Sequence, residues 1–327
     1  MDNYCMLSSR RKFCKYATIA SLGLFTDCSA ENALLTSEAI APDIKPDQTL
    51  AFFGDSLTAG AGGTAYGKIV GKFFPGYRVV INAIGGQNSF SIVARQGGLP
   101  ISISIKDNVF KGSTPVEVTE INIPFLSTNA SAQRIAKSGV VAGVRCKIVR
   151  TVLNSSKPFQ EVYTLEPEKA TTQVVPAQSV FTLNDAISLR SAVQILWVGR
   201  NNTGKAFQSD ITSCLEKSVD FLPSPKRFLI LGVLTGMNDI RGSMLERRIT
   251  SLNDTLAEKY GNHYVSMLAP TKAEMDEISF NPNEQDLAEI DGGLFPKSMR
   301  YDGLHLNNFG YEIVANRVIK KLSELHY

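Results

Sequence analysis

The sequence is poor in the residues that build metal and disulfide sites. It has three histidines in 327 residues, His263, His305 and His326, and none stands in a Cys/His ligand spacing. A metal centre is therefore not expected, and neither is an organic cofactor. Of five cysteines, Cys5, Cys14 and Cys28 fall in the first 30 residues. Cys146 and Cys214 remain, and either one disulfide in an oxidising compartment or two buried thiols is compatible with them. No run of about 18 apolar residues follows the N-terminal region, which excludes a multi-span membrane protein. A basic tract is also lacking: 34 basic residues face 31 acidic ones, so nucleic acid is not an expected partner.

What is present begins with an address. Ser9-Arg10-Arg11-Lys12-Phe13-Cys14-Lys15 is basic, the stretch from Tyr16 to Phe25 is apolar, and Cys28-Ser29-Ala30 offers small residues for cleavage. SRRKFCK resembles the twin-arginine export consensus; a general secretory signal is the alternative. Lipid anchoring at Cys28 is disfavoured by Asp27 just before it. Residues 1–30 thus read as an export signal, with a periplasmic or secreted destination in a bacterium. Without its four basic and two acidic residues the chain carries 30 against 29, close to neutral.

Composition is that of a globular protein, 43% hydrophobic and 20% charged. Residues 31–48 are a polar lead-in with Pro42 and Pro46. Five short apolar runs follow, at Leu50–Phe53, Arg78–Ile84, Ile195–Val198, Phe228–Leu234 and His263–Met267, each suited to a buried parallel strand. Helical patterns at Ala65–Phe74, Asp210–Leu222 and Met244–Tyr260 separate them, and Asn308–His326 closes the chain. This alternation predicts an α/β fold with a five-stranded parallel sheet, spanning 49–89 and 189–327. Between these parts, residues 90–188 hold alternating runs at Ile101–Ile105, Pro115–Ile123, Gly143–Val152, Glu161–Leu165 and Thr171–Phe181. They read as an inserted β-rich domain, an antiparallel meander that could grip substrate.

Ligands in open parallel sheets bind beyond the carboxyl ends of the strands. The first strand ends in Gly54-Asp55-Ser56-Leu57, the second in Gly85-Gly86-Gln87-Asn88-Ser89 and the third in Gly199-Arg200-Asn201-Asn202. Asp302-Gly303-Leu304-His305-Leu306 precedes the last helix. Serine needs a base, and His305 is a candidate; imidazole needs an orienter, and Asp302 lies three residues before it. The N–H groups of Ser56 and Gly86 and the Asn201 amide are suited to hold an oxyanion. Alone, Ser56 in a Gly/Asp/Ser cluster would be turn chemistry or a helix cap. Arg200 and Asn202 are candidates for substrate contact, with an outward salt bridge as the other reading of Arg200. His263 and Trp197 read as structural, and His326 as solvated.

These blocks, in this order, resemble the SGNH (GDSL) hydrolase family over about 230 residues, leaving 90–188 unaccounted for. DGLHLNNFGYE and NAIGGQNS are the most specific pieces. The resemblance implies a three-layer, flavodoxin-like fold and a serine esterase. Ser56 would be its nucleophile, Asp302 and His305 would complete a triad, and Ser56, Gly86 and Asn201 would form the oxyanion hole. The third block departs from Gly-x-Asn-Asp, because Asn202 stands where aspartate is usual, while Gly236-Met237-Asn238-Asp239 fits the pattern. Asn201 is preferred over Asn238 because two strands must still follow it. The expected activity is that of an exported esterase that removes an O-acyl group, O-acetyl above all, from a carbohydrate polymer. A lipase or thioesterase acting on small or lipid esters is the alternative, as is a non-catalytic carbohydrate-binding protein on the same fold.

Overall fold

Five apolar runs form one parallel sheet because residues pointing to either face meet a layer of helices. The structure, a computed structural model, describes residues 47–128, 134–154, 156, 160–202, 207–239 and 241–327; the expected export signal lies outside the described residues. The chain starts with β1 (Thr49–Gly54), α1 (Ser56–Ala59), α2 (Tyr66–Phe73), β2 (Arg78–Ala83) and α3 (Ser89–Gln96). Six strands follow: β3 (Ile101–Ile105), β4 (Val116–Ile121), β5 (Arg134–Val141), β6 (Val144–Asn154), β7 (Gln160–Pro167) and β8 (Ser179–Leu183). Then come α4 (Asn184–Ser188), β9 (Val193–Trp197), α5 (Phe207–Phe221), β10 (Phe228–Leu231), α6 (Met244–Tyr260) and β11 (Tyr264–Val265). The helices α7 (Lys272–Glu277), α8 (Glu284–Asp291) and α9 (Asn308–Glu324) end the chain.

The sheet order is β2-β1-β9-β10-β11, all parallel. Residues of β1, β9 and β10 are buried throughout, as strands covered on both faces must be. Alternate side chains go to opposite cores. Phe52, Ile195, Leu229 and Leu231 pack with Tyr66 and Val70 of α2 and with Ile313, Val314 and Val318 of α9. Ala51, Phe53, Leu196 and Ile230 meet Ile92 of α3, Ile211 and Leu215 of α5, and Leu252 and Leu256 of α6. The expected five-stranded parallel sheet and its three layers are thus both present.

The β-rich segment differs from its expected form. It is antiparallel, but it closes into a barrel in the order β3-β4-β7-β6-β5-β8 rather than running as a meander. Closure gives each of the six strands a partner on both sides. Between β5 and β6, Ala142 and Gly143 both take positive φ, 46° and 78°, the backbone of a two-residue hairpin turn. Ile103, Phe110, Val118, Cys146, Ile148, Leu165 and Phe181 fill a core that continues to Val93 and Ala94 of α3 and Cys214 of α5. Barrel and sheet accordingly lie in one compact unit, Pro46–Tyr327. Residues 90–96, placed at the start of the β-rich part by sequence, belong to α3, a helix against the sheet. Cys146 and Cys214 are buried free thiols, and burial pushes the Cys146 thiol up to about 12. Among the described residues no helix is long and apolar enough to cross a membrane.

Candidate active site

In this sheet the chain leaves β1 toward β2 on one side and later fills β9 on the other, so a crevice opens beyond the carboxyl end of β1. Register sets the neighbours: Gly54, the last residue of β1, pairs with Ala83 of β2 and Trp197 of β9. The loops carrying Gly86 and Asn201 therefore flank Ser56. Ser56 opens the short helix α1, whose cap is Asp55, the carboxylate Oδ1 accepting the Leu57 N–H at 3.0 Å.

The partner of Ser56 arrives from 249 residues away. His305 Nε2 lies 2.9 Å from Ser56 Oγ, and His305 Nδ1 lies 2.8 Å from Asp302 Oδ2. The D-x-x-H spacing builds this locally: Asp302 Oδ1 accepts the N–H groups of Leu304 and His305 at 2.8 and 2.7 Å, leaving Oδ2 for the ring. Partial burial pushes the Asp302 carboxyl up, but the His305 ring and the two backbone donors together hold it below the usual carboxylate range. A charged Asp302 accepts a hydrogen bond from Nδ1–H, so Nε2 is left to accept from the Ser56 hydroxyl. Asn307, capping α9, and the bond from Tyr301 N–H to His305 O hold the loop in place.

On the other side of Ser56, a Cβ added to Gly85 would stand 3.6 Å from the Ser56 Cβ, so the Gly85-Gly86 turn abuts the serine. Gly86 takes φ 76°, a conformation that suits glycine. Among the described residues neither the Ser56 N–H nor the Gly86 N–H has a protein acceptor. Two backbone donors are thus open beside the hydroxyl.

Asn201 is brought to the same place, but its amide is occupied. Nδ2 donates to Asp55 Oδ2 at 2.7 Å and to Gln87 O at 3.1 Å. Asp55 was quoted in the sequence only as part of the motif; the structure makes it the anchor of Asn201. Burial pushes the Asp55 carboxyl up to about 6, against the Leu57 N–H and the charges of His305 and Arg200. Arg200 and Asn202, candidates for substrate contact with a salt bridge as the other reading of Arg200, have protein partners. Arg200 donates to Asp239 Oδ2 at 2.6 Å and Leu234 O at 3.2 Å. Asn202 accepts from Ser89 N–H at 2.9 Å and donates to Ser89 Oγ at 2.8 Å, tying the end of β9 to the start of α3. Asn238 is exposed on the loop that Asp239 folds by accepting the Gly236 N–H. His263 stacks on Phe228 at 4.4 Å, Trp197 is buried with its N–H on Gly232 O, and His326 is exposed.

Three further side chains serve the site through partners that no spacing in the sequence indicates. Arg95, fully buried, donates to Gly54 O, Asn82 O and Gln87 Oε1 at 2.8–2.9 Å. Gln87 donates to Phe125 O and Ser127 O of the barrel, and Thr128 donates to Gly85 O. Among the described residues no group of His, Cys, Asp and Glu could hold a metal ion.

No protein-family model matches this chain, and no curated protein matches it either. Among solved structures it is similar to a Bacteroides fragilis protein assigned as an acylhydrolase, at 14% identity and TM-score 0.43, covering 86% of this chain and 90% of that one. A Desulfitobacterium hafniense protein assigned to the G-D-S-L lipolytic family has 9% identity and TM-score 0.43, with 84% and 99% covered. A gut microbial diltiazem-metabolizing enzyme has 12% identity and TM-score 0.42, with 85% of this chain and 47% of that one covered. At these values the likenesses carry no weight, and function must be read from the site.

Proposed function

We propose that the protein is a serine esterase of the SGNH (GDSL) type. The observation that carries this is the hydrogen-bonded series Ser56 Oγ to His305 Nε2 and His305 Nδ1 to Asp302 Oδ2, at 2.9 and 2.8 Å. Ser56 Oγ attacks the ester carbonyl carbon as its proton passes to His305 Nε2. The tetrahedral intermediate collapses, the carbon–oxygen bond to the leaving group breaks, and His305 returns the proton to the departing alcohol. Water then attacks the acyl-enzyme, again giving a proton to His305, which passes it to Ser56 Oγ as the carboxylic acid leaves. Asp302 fixes the ring tautomer and stabilises the imidazolium. The open Ser56 and Gly86 N–H groups hold the oxyanion, and Asn201 joins them when a ligand draws its amide away from Gln87 O.

The substrate we assign is an O-acetyl group on a carbohydrate polymer outside the cytoplasm. Two features favour it: the export signal read in residues 1–30, and a barrel whose loop at 125–128 stands beside the site. Hydrolysis of p-nitrophenyl acetate by the wild type and by Ser56→Ala tests the activity; equal rates for the two would remove the assignment. Acetate release from O-acetylated xylan, peptidoglycan and exopolysaccharide is expected to exceed turnover of long-chain esters. The reverse order would make the protein a lipase-type acylhydrolase. Replacing Arg10-Arg11 by two lysines should block export by the twin-arginine route, and unchanged export would exclude that route.

A further inference from the structure

One element of the proposed oxyanion hole is not held by its own residues. The peptide between Gly85 and Gly86 carries the Gly86 N–H at one end and the Gly85 carbonyl at the other. In a trans peptide the two point in opposite directions, so rotating the plane would exchange them. With glycine on both sides, no Cβ resists that rotation. A flipped peptide would present a carbonyl oxygen where a donor is needed.

The restraint comes from the barrel. Thr128, buried in the segment after β4, donates its hydroxyl hydrogen to the Gly85 carbonyl. The geometry points to Thr128 as the positioning residue of the oxyanion hole: it anchors the carbonyl end, which keeps the Gly86 N–H turned to Ser56. This deepens the esterase reading and rests on it. A carbonyl that already accepts a hydrogen bond also polarises its own N–H into a stronger donor.

Thr128 is itself braced. Arg150, fully buried, donates to Thr128 O at 3.4 Å and pairs with Glu161 Oε2 at 2.6 Å. The other Glu161 oxygen accepts from Ser127 Oγ, which lies 2.8 Å from the Tyr163 hydroxyl. On the sheet side Gln87, directly after the two glycines, bonds Phe125 O at 2.7 Å and Ser127 O at 3.1 Å. Gln87 in turn accepts from Arg95, which also holds Gly54 O, two residues before Ser56. The rotatable peptide is thus enclosed between the barrel loop and the strand that presents the serine.

Thr128→Val removes the hydroxyl at nearly constant volume, Thr128→Ser keeps it, and Thr128→Ala serves if the valine variant does not fold. Loss of the hydroxyl should lower kcat on p-nitrophenyl acetate roughly 10- to 100-fold, up to the effect of losing one oxyanion donor. KM should stay near wild type. Inhibition by phenylboronic acid, which forms a tetrahedral adduct on serine, should weaken by a similar factor, and Thr128→Ser should restore both. A merely structural role would lower the urea midpoint without separating kcat from KM, and that outcome overturns the proposal. Crystals of the T128V protein give a readout independent of turnover: the Gly85 carbonyl should be turned from its wild-type position. An unmoved peptide overturns the proposal whatever the kinetics. Inactivity of the wild type itself would sink the esterase reading instead, and the crystal comparison would still decide what Thr128 holds.

Discussion

Asp55 is the residue at which burial, charge and the site meet. Its carboxylate caps α1 through the Leu57 N–H and anchors the Asn201 amide, yet burial raises its pKa from 3.8 to about 6. The sign of the resulting pH dependence is the reverse of the usual carboxylate case. Between the unfolded and folded pKa values the native state holds a proton that the unfolded state has lost, so stability falls as pH rises from about 4 to about 6. Below this window the cost is absent, and above it the cost is complete, about 3 kcal/mol for a shift of this size. Asp55→Asn removes the titration. Urea unfolding at pH 4, 5, 6 and 7 should show wild type losing stability relative to the variant across that window, by up to about 3 kcal/mol. A constant difference from pH 4 to 7 would refute the raised pKa. The amide would also set a donor against the Asn201 donor, so activity should fall even where stability gains.

At this same scale the sequence was most legible where chemistry is local. Asp302 and His305 are three residues apart on one loop, and their spacing alone suggests an oriented imidazole. Ser56 became more than a turn residue because the strand ends converge on it. Thr128 and Gln87 were not legible, since their partners lie 43 and 38 residues away and no spacing rule joins them. Arg200 and Asn202 sit inside the motif, where sequence offers substrate contact for both and a salt bridge as the other reading of Arg200; packing supplies Asp239 and Ser89 as their partners.

At the scale of elements, strands read from continuous apolar runs were found nearly in place because burial on both faces leaves an unmistakable pattern. Among the elements not read from the sequence, α3 and β5 escaped for physical reasons. In α3 every residue from Ser91 to Gln96 is buried, Arg95 and Gln96 included, so no amphipathic stripe marks a helix. In β5, RIAKSGVV is broken by Gly139; that glycine belongs in the strand because the Phe181 ring lies 2.5 Å from where its Cβ would stand. The run Thr171–Phe181 was too long, since Pro176 cannot donate to a ladder and only Ser179–Leu183 forms β8. Arg95 is the junction of these elements, reaching from α3 to the carbonyls ending β1 and β2. Arg95→Met fills the space but takes the guanidinium donors from Asn82 O, Gln87 Oε1 and Gly54 O, the last of which keeps the Ile84 N–H at 3.3 Å. A loss of about 3–5 kcal/mol in urea unfolding is expected for such a buried network. A loss under about 1 kcal/mol would mean the network is dispensable.

At the scale of the whole molecule, sequence divided the chain into an α/β part and a separate β-rich insertion. Sequence order supports that division, since the barrel strands come between β2 and β9, but packing works against it. The barrel core runs without interruption into α3 and α5 through Val93, Ala94 and Cys214, and Gln87 and Thr128 bond across from sheet to barrel and back. Neither half can lose its packing without exposing apolar surface on the other, which is the condition for one cooperative transition. The chain carries its own probes. Trp197, its single tryptophan, reports from β9 in the sheet, while the buried Cys146 thiol reports from β6 in the barrel. Tryptophan emission and mass-spectrometric labelling of Cys146, followed through a urea titration, should give midpoints that coincide within about 0.2 M. Labelling of Cys146 at clearly lower urea would make the barrel an autonomous domain. In that case the oxyanion hole would lose its Thr128 anchor while the triad remained folded, and esterase activity should decline with the thiol signal ahead of the tryptophan signal.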